Sequence, residues 1–89
     1  GKGYTIGLVL DEYTPEIVEL IRSVDGVEYV LQKGEQLKIF PSKENTLVLK
    51  DILDKLEAKK ITPRKIEPKV EIDMDDYFIY LTGNTEDLD

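Results

Sequence analysis

Val27-Glu28-Tyr29-Val30-Leu31-Gln32-Lys33-Gly34-Glu35-Gln36-Leu37-Lys38-Ile39-Phe40 contains two alternating runs on either side of a short turn with a glycine. Alternation puts successive side chains on opposite faces of a strand, and two such runs around a glycine turn read as a β-hairpin. By parity Val27, Tyr29 and Leu31 share one side, as do Leu37 and Ile39. Pro41 ends the second run because it has no N–H for a ladder.

Upstream, Tyr4, Ile6, Leu8 and Leu10 alternate with Thr5, Gly7 and Val9, which predicts a strand with one core face. Thr14-Pro15-Glu16 then starts a helix: a hydroxyl cap, proline at the first helical position and an acid near the positive end of the dipole. Ile17, Leu20, Ile21 and Val24 form its apolar stripe, and Asp25-Gly26 stops it. Downstream, Asn45 or Thr46 is the expected cap of a second helix carrying Leu49, Ile52, Leu53 and Leu56. Residues 61–67 predict a weaker strand, which Pro63 and Pro68 confine to a sheet edge. Asp73 caps a third helix over about 73–83, with Met74, Tyr77, Phe78 and Leu81 as its stripe and Gly83 as its stop, and residues 84–89 are expected to fray.

The order βαββαβ plus a third helix predicts an α+β, ferredoxin-like sandwich over residues 1–89, a single domain whose four-stranded antiparallel sheet carries both early helices on one face. The other face would show Val9, Val30 and Phe40, too apolar for open water. These three, with Ile79 of the third helix, are the expected interface. The third helix is expected to land there with Phe78 buried.

The 89 residues and 10.2 kDa leave room for one core. No apolar run could span a bilayer. There is no cysteine and no histidine, which removes thiolate and imidazole chemistry and most zinc sites. The net charge is −7, and residues 71–89 carry seven acids and no base, leaving the body neutral. That argues against a nucleic-acid partner, which would need a basic face. Asp73, Asp75 and Asp76 invite a calcium loop, but its sixth and twelfth positions would be Phe78 and Asn84 where glycine and glutamate are required. Gly1-Lys2-Gly3 has no preceding strand and builds no phosphate cradle. The sequence opens without methionine, its only one being Met74, so the chain is expected to be a piece of a longer protein; processing to Gly1 or an expression scar is the alternative.

Asp73-Met74-Asp75-Asp76-Tyr77-Phe78-Ile79-Tyr80-Leu81-Thr82-Gly83 resembles a signature at the end of ABC transporter ATP-binding subunits of the multidrug and ABC-2 export class, Ser-Leu-Glu-Asp-Val-Phe-Leu-x-Leu-Thr-Gly. Asp76, Phe78, Leu81, Thr82 and Gly83 match outright; Met74, Asp75, Tyr77 and Ile79 are replacements, and Asp73 stands for serine as a cap. Upstream, Gly26-Val27 matches the step that opens a hairpin in that family. The resemblance is to the accessory domain that follows the ATPase. It implies a non-catalytic regulatory or assembly role in ATP-driven export, at the cytoplasmic face of the membrane. The implied partners are the chain's own ATPase domain, a second ATP-binding subunit or the membrane permease. It implies no cofactor here, with ATP and Mg²⁺ bound by the ATPase domain. The alternatives are a small-molecule-sensing ACT-like domain, which shares the βαββαβ order but favours a glycine-rich first βα loop where this chain has Asp11-Glu12-Tyr13-Thr14, and a free-standing protein of the same fold.

Overall fold

The computed structural model describes residues 3–42 and 47–82. The elements are β1 (Tyr4–Val9), α1 (Pro15–Arg22), β2 (Val27–Lys33), β3 (Gln36–Pro41), α2 (Val48–Ala58), β4 (Lys65–Glu71) and α3 (Met74–Leu81). The strands form one antiparallel sheet in the order β2-β3-β1-β4, the arrangement expected of the α+β sandwich.

Local chemistry sets the boundaries. Thr14 caps α1 by accepting the Ile17 N–H at 3.2 Å, with Pro15 at the first helical position. Gly34 takes φ +64° at the first central position of the β2–β3 turn, where a tight hairpin turn uses glycine. Tyr13 was not singled out by its sequence, yet its hydroxyl accepts the Leu10 N–H at 2.9 Å and donates to the Glu35 carbonyl, tying the first loop to that turn. The expected caps Asn45 and Thr46, and Gly83 with residues 84–89, lie outside the described residues.

One layer of the core lies between the sheet and the first two helices. Ile6, Leu8 and Leu10 meet Ile21, Val24, Leu37, Ile39, Val48, Ile52 and Leu56 there, all buried. Val30 joins them, which corrects its expected place on the other face. The cause is a shift of register in β2: Val27 lies opposite Pro41 and Tyr29 opposite Phe40, so Glu28 is the extra residue. A one-residue slip exchanges the two faces of a strand. Beyond Glu28, therefore, Tyr29, Leu31 and Lys33 turn to the face opposite α1 and α2, beside Phe40, Lys38 and Gln36.

β4 also begins later than its sequence predicts, at Lys65 rather than residue 61. Residues 60 and 61 are used to finish α2. Lys60 adopts φ +62°, the Lys60 N–H donates to the Glu57 carbonyl at 2.8 Å and the Ile61 N–H to the Leu56 carbonyl at 2.9 Å. This is the paired closure that glycine usually makes at a helix end. Lysine there carries a steric cost glycine lacks, partly offset by the greater freedom glycine loses on folding. Lys60→Gly should therefore raise unfolding free energy by about 0.5–1 kcal/mol in urea titrations; a loss of stability would show that the left-handed turn is not formed.

Candidate functional site

The face opposite α1 and α2 carries two lysines among apolar neighbours. Lys38 sits mid-sheet beside Gly7 of β1 and Leu31 of β2, with only 11% of its side chain exposed. Lys33 lies nearer the rim and is about half exposed. The Lys38 ammonium has lost most of its water and needs an anion. Helix α3 provides it. Asp76, with 1% of its side chain exposed, pairs with Lys38 through one carboxylate oxygen and with Lys33 at 3.0 Å through the other. Asp73 caps the helix by accepting the Asp76 N–H at 2.7 Å, and its second oxygen lies 3.6 Å from Lys33 and 3.8 Å from Lys38.

One turn further along α3, Tyr80 lies flat on Phe40, with ring centroids 4.8 Å apart and planes 5° from parallel. Tyr29 meets both rings edge-on at 5.6 and 5.9 Å. The Tyr80 hydroxyl donates to Glu28 at 2.8 Å, so the extra residue of β2 also anchors the helix. Beside this patch Gly7 makes room for a hydrogen bond between Gln36 and Glu67 across β1; a Cβ at Gly7 would lie 2.6 Å from the Gln36 Nε2.

The third helix thus covers the sheet face, but with a different side from the expected one. Phe78 is not buried: it is 66% exposed, and Met74 and Leu81 are 70% and 62% exposed. Asp73, Asp76 and Tyr80 share one helical face and Met74, Phe78 and Leu81 the opposite one, each at helical spacing. Hydrophobicity alone favours the second face for burial. Lys33 and Lys38 reverse the choice, because a sheet surface holding a desolvated ammonium accepts a carboxylate before a phenyl ring. Tyr77 and Ile79 lie half-buried at the sides, and Thr82 is exposed at the helix end with its hydroxyl donating to the Phe78 carbonyl at 2.8 Å. Of the expected interface residues, Val9 lies on the α3 face, and Phe40 is buried beneath Tyr80. Val30 is in the core. Sequence parity places Lys38 and Phe40 on one face of β3, but nothing in the spacing of α3 marks Asp76 as the residue that meets them.

The Asp76 N–H holds the Asp73 carboxyl below its ordinary value, with Lys33 and Lys38 adding to the effect against some burial. The hydrogen bond to Asp76 raises Lys33 above the usual lysine value. The hydrogen bond to Glu28, followed by burial, raises the Tyr80 hydroxyl. Carboxylates and ammoniums here satisfy one another, so the cluster is built to attach a helix and to fix its rotation. Among the described residues no group of three or more acids is arranged to hold a metal ion, and no helix is long and apolar enough to cross a membrane. No protein-family model, curated protein or solved structure matches the chain.

Phe78→Ala should change folding stability by less than ~0.5 kcal/mol, as exposed positions do. Asp76→Ala, which strands Lys38, should cost about 3 kcal/mol in denaturant titrations; the reverse order would mean that Phe78 faces the sheet. With Asp73 lowered, its contribution is present above the unfolded carboxylate value and lost as pH falls through the folded one. Lys33 is raised, so its contribution is complete below the unfolded lysine value and lost as pH rises through the folded one. NMR titration should find Asp73 depressed; a raised value contradicts the cap.

Proposed function

We propose that this chain is the C-terminal accessory domain of an ABC transporter ATP-binding subunit of the multidrug or ABC-2 export class. Its role is regulatory or assembling, tuning ATPase-domain dimerisation or coupling to the permease at the cytoplasmic face of the membrane. The observation that carries the reading is the outward stripe of Met74, Phe78 and Leu81. Three large apolar side chains on one exposed helical face are what an assembly surface offers. They fall within the stretch that resembles the family signature, whose residues divide between two tasks: Asp73 and Asp76 fasten the helix, and Phe78 and Leu81 face a neighbour. The neighbour is the subunit's own ATPase domain, a second ATP-binding subunit or the permease. ATP and Mg²⁺ belong to the ATPase domain.

The test is the complete reading frame followed by a variant. The frame should encode a Walker A sequence upstream of Gly1, and Phe78→Ala in the full subunit should weaken assembly or coupled ATP hydrolysis while leaving this domain folded. A frame without an ATPase overturns the reading. The chain alone should show no ATP binding in calorimetry, and micromolar affinity would count against it.

One observation favours the ACT-like alternative. A groove of about 670 Å³ runs beside the first βα loop, lined by Glu12, Thr14, Glu16, Ile17 and Lys59 among others. An amino acid that binds there in calorimetry would support that reading over the first.

A further inference from the structure

The described surface holds a second apolar patch, on the sheet face that carries α1 and α2. Ile66 of β4 lies beside Leu8, and Tyr4 lies opposite Glu71 at the far end of the same strand pair. Tyr4 is 49% exposed and Ile66 39%. Lys69 lies between them, its ammonium 4.4 Å from the centre of the Tyr4 ring. Of the bases around β4, Arg64 pairs with Asp11 at 3.6 Å and Lys65 with Glu67 at 3.7 Å, so Lys69 is the cation that this patch offers. Glu71 closes the patch at its outer end.

The stripe on α3 has the opposite charge. Asp75 is exposed between Met74 and Phe78 and pairs with no cation among the described residues. No base occupies the last turn of α3, so the negative end of its dipole is uncompensated by its own side chains. Asp73 and Asp76 already have partners, which leaves the outer side of the helix acidic and apolar. The lengths also agree. Met74 to Leu81 spans seven residues, about 10 Å of helix. Tyr4 to Leu8, the neighbour of Ile66, spans four residues, about 13 Å of strand.

We infer that the partner of this stripe is a second copy of the chain, with Met74, Phe78 and Leu81 of each copy seated on Tyr4, Lys69 and Ile66 of the other. The inference rests on the reading of α3 as an assembly surface and names its partner. One such contact is smaller than a stable interface, which buries roughly 1,200–2,000 Å². A twofold dimer makes the contact twice, because a patch met by its complement on one copy is returned on the other. The net charge of −7 opposes association at long range, while Asp75 and Lys69 act within about one Debye length, ~8 Å. The dimer is therefore weak and depends on concentration.

Sedimentation of the 89-residue chain from micromolar to millimolar concentration tests this. The mass should rise from 10.2 kDa toward twice that value. Phe78→Asp and Ile66→Asp, both at exposed positions and checked for folding by circular dichroism, should each weaken association by about tenfold or more. An equimolar mixture of the two variants should associate more tightly than either alone, because it rebuilds one of the two contacts. A wild-type chain that stays monomeric at millimolar concentration overturns the inference, and so does a dimer indifferent to both variants. A dimer lost in Phe78→Asp but kept in Ile66→Asp shows α3 packing on α3 and also overturns it. None of these results touches the accessory-domain reading, which stands or falls on the upstream reading frame.

Discussion

The pair formed by Lys38 and Asp76 decides what this molecule shows to its surroundings. Lys38 projects from the middle of a sheet with little access to water, and Asp76 is almost wholly enclosed. A buried ion pair adds little net stability over a well-packed apolar one, because desolvation offsets much of the attraction. Its consequence is directional. An α3 rotated to bury its more apolar face would carry Asp76 out to solvent and leave the Lys38 ammonium under the helix without a partner. The Asp73 cap, the second lysine and the stacked Tyr80 all agree with the rotation the pair selects.

From that rotation follows the exposed apolar stripe. The helix gives one face to its own sheet and keeps Met74, Phe78 and Leu81 outside. Had Phe78 been buried, the domain would close on itself, with little left to bind a neighbour. Instead one side of the helix is fastened to the sheet and the other stays exposed. The polar face fixes the helix without consuming the apolar one.

The architecture was legible in the sequence because alternation and helical spacing rest on backbone geometry. The helix cap at Thr14, the edge position of β4 and the cap at Asp73 follow from the chemistry of single residues. Three things were not legible. The extra residue at Glu28 reverses the faces of β2, and no local pattern marks it; Val30 therefore lies in the core. The helix end at Lys60 uses a left-handed turn without glycine, so the sequence pattern places the start of β4 too early. The rotation of α3 depends on Lys33 and Lys38, some forty residues away, and periodicity within the helix cannot register them. Hydrophobic spacing names the apolar stripe correctly; it does not say which neighbour the stripe will meet.

Solvent relaxation measures the rotation of α3 directly. A soluble paramagnetic gadolinium chelate broadens proton signals according to their closeness to water. At a concentration low enough to keep the 89-residue chain monomeric, it should attenuate the Phe78 ring, the Met74 methyl and the Leu81 methyls strongly. The Tyr80 ring should be attenuated less and should show nuclear Overhauser contacts to Phe40. A protected Phe78 with contacts to Phe40, beside a strongly attenuated Tyr80, would contradict the account.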